Sequence, residues 1–271
     1  MHPESDIEPF QPQSAGRVFR LRPDWEKLVT LLPRLRTSAT VYRGTHAIHC
    51  QAGAFPSVEI VSRHAVQSRG FRGVTLSLAD WSEAWLYEEE RFGKMLPCLE
   101  IADEQGRGLF KLCYRDAHHA KKDRKMLESF IVGEGDAWDI LHLRRANVMH
   151  CRPLRASEGR KTNFLPLLKR IQREAIEKGA ELGLILPHRS QSTWDSLRAE
   201  AEQPAGCWLA FSSGGNHMTI HPDGYHHARL VRSGDRHIAS FFTKDNRPAL
   251  SLVQPEGVEL RSFERLEPLC D

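Results

Sequence analysis

Two stretches of the chain alternate apolar and polar positions with the period of a β-strand, turn over a short polar segment, and alternate again. The first is Leu96-Pro-Cys-Leu-Glu-Ile-Ala-Asp-Glu-Gln-Gly-Arg-Gly-Leu-Phe-Lys-Leu112, with Gln105-Gly106-Arg107 at the turn. The second, about 140 residues on, is His237-Ile-Ala-Ser-Phe-Phe-Thr-Lys-Asp-Asn-Arg-Pro-Ala-Leu-Ser-Leu-Val253, with Asp245-Asn246-Arg247 at the turn. A further strand pair is expected upstream of each, from Val74 to Tyr87 and from Met218 to Arg232, and an amphipathic helix before each copy. Identity between the copies is low, and two hairpins can look alike without common origin. Read as a repeat, the pattern predicts two similar sheet-bearing halves with a ligand cleft between them.

The helical period marks the remaining elements. Trp25, Leu28, Val29, Leu32 and Leu35 give one apolar face after Asp24, a candidate N-cap, and Pro33 should shorten the last turn. Asp116 can cap a second helix whose apolar side is Met126, Leu127, Phe130 and Ile131. Asn163 precedes a third, in which Phe164, Leu167, Leu168, Ile171, Ala175 and Ile176 share a face and Gly179 marks the end. Trp194 and Leu197 suggest a short helix, and Val258 to Leu269 a closing one. Residues 1–15 form a polar leader, 16–132 the first half, 133–159 a linker and 160–271 the second half. The fold class expected is α+β: two antiparallel sheets packed together with flanking helices, since no steady strand–helix alternation is present.

Composition narrows the function classes. The 271 residues are 40% apolar and 27% charged, ordinary for a globular protein. A formal charge of +3 with scattered arginines argues against a nucleic-acid partner. No run of 18 apolar residues and no secretory signal pattern is present, so a cytoplasmic, non-membrane-embedded protein is expected. The six cysteines contain no Cys-x-x-Cys pair and suit reduced packing residues; Cys98 and Cys113 should face each other across the first hairpin.

Reactive chemistry is sparse. Histidine, at fourteen copies, is the enriched reactive residue. His46 and His49 could share a metal on a helix but point to opposite faces of a strand, and their surroundings favour a strand. His118-His119 and His226-His227 suit solvated positions. Glu88-Glu89-Glu90 is expected in a hairpin loop. No metal site, nucleophile elbow, phosphate loop or dinucleotide fingerprint is recognisable, catalytic residues cannot be named, and enzymatic activity would have to come from a bound cofactor.

The order of segments resembles the bacterial haem-utilisation family of HemS, ChuS and PhuS over most of the chain. Leu21-Arg-Pro-Asp-Trp25 resembles the family's leading Leu-Arg-Pro-Asp-Trp, and Arg43-Gly-Thr-His-Ala-Ile-His49 its Arg-Asn-Glu-His-Ala-Val-His segment. Trp81-Ser-Glu-Ala-Trp85 and the segment from Leu99 to Lys111 are similar to its tryptophan strand and first hairpin. Asn163-Phe-Leu-Pro-Leu-Leu-Lys169 is similar to Asp-Phe-Phe-Pro-Leu-Leu-Lys, Ala228-Arg-Leu-Val-Arg232 to Trp-Val-Val-Arg-Lys, and Val258-Glu-Leu-Arg-Ser-Phe263 to the closing Pro-Glu-Leu-x-x-Trp helix. The resemblance implies an internal duplication, haem as cofactor, and a role as cytoplasmic haem carrier or haem-degrading factor. A haem oxygenase or haem transporter would be its protein partner.

The polar haem contacts depart from the family pattern. Thr162 stands where the family carries its axial histidine, Ser77 where its first half carries an arginine, and Val253-Gln-Pro-Glu256 where it carries Gly-Lys-Arg-Lys. A threonine hydroxyl is not among the ordinary axial ligands of haem iron. If haem binds, the candidate substitute ligands are His49, which matches a family histidine, His150 and His188. Arg160, Lys161 and Arg232 are the candidates for pairing with propionates. The alternative is a family relative that has lost haem and serves as a binding module for another small ligand or a protein.

Overall fold

The structure is a computed structural model, and it describes residues 15–44, 47–68, 73–91, 93–140, 143, 164–188, 191–200, 209–220 and 225–264. Strand β1 (Ala15–Leu21) leads into α1 (Trp25–Leu31), then β2 (Ala39–Arg43), β3 (Ala47–Ala52), β4 (Val58–Ser62), β5 (Ala65–Ser68) and β6 (Gly73–Ser77). Next come β7 (Glu83–Arg91), β8 (Lys94–Ala102), β9 (Gly108–Cys113), α2 (Ala117–Leu127) and β10 (Ile131–Gly135). The C-terminal half contains α3 (Leu165–Glu177), β11 (Glu181–His188), β12 (Gln191–Ala199), β13 (Leu209–Ser213) and β14 (Asn216–Ile220). It ends with β15 (His227–Ser233), β16 (Arg236–Phe242), β17 (Pro248–Val253) and α4 (Arg261–Glu264). The protein is α+β, as expected.

The two hairpins share one register. Cys98↔Cys113, Leu99↔Leu112, Glu100↔Lys111 and Ile101↔Phe110 in β8–β9 recur as Ile238↔Val253, Ala239↔Leu252, Ser240↔Ser251 and Phe241↔Leu250 in β16–β17. Both ladders shift register at the next residue, and both turns close the same way. Gly106 N–H donates to the Asp103 carbonyl at 2.9 Å, and Asn246 N–H to that of Thr243 at 3.0 Å. Gly106 (φ +68°) and Asn246 (φ +57°) occupy the left-handed position that glycine and asparagine tolerate best.

The strands form one 17-stranded antiparallel sheet rather than two packed sheets. The cause is a reciprocal exchange. β6 pairs with β12 through Gly73↔Trp194 to Leu76↔Gln191, and β14 pairs with β3 through His217↔Cys50 to Ile220↔Ala47. Each half thus lends a strand to the other. For the same reason, the expected upstream strand pairs are not hairpins. β6 pairs with β5 and β12 and not with β7, while β14 pairs with β13 and β3 and not with β15.

Helices cover one face. Leu28 and Val29 of α1 join Leu32, Leu35, Leu127 and Phe130 against Tyr42, Leu99, Ile101, Phe110 and Leu112. Leu167, Leu168, Ile171 and Ala175 of α3 cover Leu182, Leu184, Leu197, Phe241 and Leu252. Ile176, expected on that face, is 42% exposed. A smaller cluster of Val18, Trp85, Tyr87, Cys98 and Ala102 lies on the opposite face under Ile140 and Leu143.

Local signals fared unevenly. Pro33 falls in a single 3₁₀ turn, Leu32–Arg34, that ends α1. Asp116 caps α2, accepting from His118 N–H at 2.7 Å. Asp24 makes no capping bond; its carboxylate takes the Lys27 ammonium at 2.8 Å instead. Trp194 and Leu197, expected in a short helix, lie in strand β12, because Gln191, Thr193, Asp195 and Leu197 are buried on one face with polar partners across the joint. Glu88-Glu89-Glu90 lies within β7 rather than in a loop, with Glu89 paired to Lys111 at 2.5 Å. Asn163 and residues 265–271 lie outside the described residues, and the described part of the closing helix is α4.

Candidate functional site

Three polar constellations compete for a functional role. The first sits at the joint between halves. His49 on β3 and Thr193 and Asp195 on β12 are 0%, 1% and 3% exposed. His49 Nδ1 lies 2.9 Å from Thr193 Oγ1, and Nε2 lies 3.4 Å from Asp195 Oδ2. An ionised Asp195 can only accept, so Nε2 carries the hydrogen and Nδ1 accepts from the Thr193 hydroxyl. Asn216 Nδ2 donates to Asp195 Oδ2 at 2.5 Å, Ser196 N–H donates to Oδ1 at 2.8 Å, and Asn216 Oδ1 accepts from Ala52 N–H at 2.9 Å. The hydroxyl–imidazole–carboxylate order matches a nucleophilic relay, but with all three groups inside the core no substrate can reach the hydroxyl. The network fastens the joint.

The second constellation lies on the opposite face of the N-terminal half. Glu100, 0% exposed, takes the Arg43 guanidinium at 2.5 Å and accepts from the Tyr87 hydroxyl. Burial, together with the neighbouring Cys98, Glu100 and Glu89, pushes the Tyr87 hydroxyl well up and keeps it a donor. Burial also pushes the Cys98 thiol up. Cys98 and Cys113 are register partners, as expected, and both are free thiols. At the matching positions of the second hairpin, Ser240 and Ser251 bond to each other at 2.8 Å. The Glu100–Lys111 register pair of the first hairpin is thus charged, and its counterpart in the second is a pair of hydroxyls.

The third is a cavity of about 270 Å³ between α2 and the β1–β7–β8 surface. Phe19, Leu86, Pro97 and Leu127 give it an apolar floor, and Arg17, Lys121 and Arg124 stand around it. Sequence spacing could not assemble this set, because β1 and α2 are about a hundred residues apart.

The candidates for haem contact are not brought together among the described residues. His49 is in the core with both ring nitrogens engaged. Arg232 is exposed on β15. His188 ends β11 opposite Gln191, and its side chain lies outside the description. His150, Arg160, Lys161 and Thr162 lie outside the described residues. Ser77 ends β6, paired with Ala65. His118, His119 and His226 are exposed, as expected of solvated positions, whereas His227 is half-buried, stacked on Phe242 at 4.9 Å with Nε2 3.0 Å from Asn246 Oδ1. No group of three His, Cys, Asp or Glu side chains among the described residues is placed to hold a metal.

The fold thus defined is an antiparallel sheet with helices over one face, shared between two halves that exchange strands. Solved proteins that are similar to it in fold include the following. ChuS, a heme oxygenase of E. coli, matches with a TM-score of 0.67 and 17% identity over 94% of this chain and 89% of its own. Holo-PhuS, a heme-binding protein from Pseudomonas aeruginosa, matches with a TM-score of 0.70 and 16% identity over 94% of this chain and 87% of its own. No family model and no curated protein matches the sequence. No helix among the described residues is long and apolar enough to cross a membrane.

Proposed function

We propose that the protein binds haem in haem-iron utilisation, as a cytoplasmic carrier or degrading factor, with its axial ligation altered from the family pattern. The observation that carries this reading is the fold, common to ChuS and PhuS over nearly the whole chain at a divergent identity. The chain is then an internal duplication of residues 16–132 and 160–271 joined by 133–159, and the shared register of β8–β9 and β16–β17 supports it. Haem would lie in a cleft beside the segment that leads into α3. Arg160, Lys161 and Arg232 would face its propionates, and His150 or His188 would replace the missing imidazole. His49 is the weakest candidate, since ligation would break the joint network.

Titration with haemin tests the reading. A saturable one-to-one Soret shift is expected, weakened by His150→Ala or His188→Ala if that residue supplies the ligand. Thr162→His should tighten binding and move the spectrum toward an imidazole-ligated form. Free-haemin spectra for both the native chain and Thr162→His would overturn the proposal. They would favour the second reading, a binding module on this fold for a different ligand, which Thr162 and Ser77 already support.

A further inference from the structure

We propose that the cavity beneath α2 is a binding site for a small amphipathic monocarboxylate, with its carboxylate at the Arg17–Lys121–Arg124 rim and its apolar chain over Phe19 and Leu86. Its occupant is a different class of molecule from haem.

Three observations carry it. The floor is apolar, and an exposed edge at Ala117 and Met95 leaves an entrance from solvent. At about 270 Å³ the cavity falls just below the range that encloses drug-sized ligands, so it suits a short chain. Among the described residues, Arg17, Lys121 and Arg124 have no ion-pair partner, although all three line the cavity. Among the described lining residues Glu88 is the only carboxylate, and it accepts a backbone N–H from Arg17 at 3.4 Å.

The cations are also held at different depths. Arg124 lies with its guanidinium 4.4 Å from the Phe19 ring centre, a cation–π contact that holds it against the floor. Arg17 and Lys121 are exposed and approach from the strand side and the helix side. A carboxylate between them would gain charge-assisted hydrogen bonds while its chain displaces water from the floor. An uncharged chain of equal length would gain only the second contribution.

The experiment is an amide-resolved NMR titration of the full chain with octanoate, and with 1-octanol as the uncharged control. Octanoate should give saturable shifts confined to α2, β1, β7 and β8, with 1-octanol at least tenfold weaker. Lys121→Glu, at an exposed site, should weaken octanoate about tenfold and leave 1-octanol unchanged. Ala117→Trp, also exposed, should close the entrance to both while leaving the haemin titration as it is in the native chain. Equal affinity for acid and alcohol, shifts elsewhere in the sheet, or undiminished octanoate binding by Ala117→Trp would overturn the proposal.

Discussion

At the residue scale, His49, Thr193, Asp195 and Asn216 close a hydrogen-bond circuit that solvent does not reach. Removing one member leaves buried polar atoms without partners, the most expensive outcome for a hydrogen bond. His49→Leu should therefore lower the unfolding free energy by about 2–4 kcal/mol in urea denaturation. A loss under about 0.5 kcal/mol would mean that the circuit contributes nothing to folding. The sequence placed His49 on a strand correctly, because the alternation around it has period two. It gave no sign of Thr193 and Asp195, which lie about 145 residues away on a segment whose apolar positions mimic a helix.

Carboxylates at two turns and caps add a pH dependence. Partial burial pushes Asp103 up, but the Arg107 guanidinium and the backbone N–H groups of Arg107 and Gln105 outweigh it and hold the carboxyl below its ordinary value. Burial likewise opposes, and is outweighed at, Glu174, where the side chain and N–H of Ser262, the N–H of Arg261 and the Lys178 ammonium favour the charged form. A folded pKa below the unfolded one stabilises above the unfolded value and is lost as pH falls through the folded value. Stability should decline between about pH 5 and pH 2, less steeply in Asp103→Asn and Glu174→Gln. Identical slopes in native and substituted chains would refute the assignment.

At the element scale, the hairpins were legible because turn chemistry and alternation agree locally. Gly106 and Asn246 mark the same left-handed step in both turns. β12 was not legible, since Trp194 and Leu197 have helical spacing while three of its inward positions, Gln191, Thr193 and Asp195, are polar. Its strand identity is imposed by β6 and β11 on its two sides. Gly73 shows how tight that imposition is. A Cβ there would lie 2.2 Å from Trp194 Cζ2 and 2.4 Å from Ser68 Oγ, so the first strand of the exchange needs a bare backbone. Gly73→Ala should cost about 1–3 kcal/mol by overpacking, and Trp194→Ala in the same chain should recover part of it. Strictly additive losses would show that the indole does not crowd Gly73.

At the scale of the whole molecule, the exchange of β6 and β14 makes the halves mutually dependent. Neither β3 nor β12 keeps its full set of ladder bonds if the other half unfolds. The alternation that revealed two similar hairpins is local and cannot report such a joint, whose pairing residues are separated by more than a hundred positions. Two domains in a row would have shown the same hairpins. The exchanged strands, however, predict one cooperative unit and not two. Leu112 and Leu252 occupy matching register positions in the two hairpins and are 0% and 1% exposed, in the separate cores under α1 and α3. Truncating either to alanine should cost about 2–5 kcal/mol. In a cooperative unit, Leu112→Ala and Leu252→Ala each move the whole urea transition, with tryptophan fluorescence and far-UV circular dichroism remaining coincident. Two resolved transitions, only one of which responds to each substitution, would show that the halves unfold separately and that the reciprocal pairing contributes little to stability.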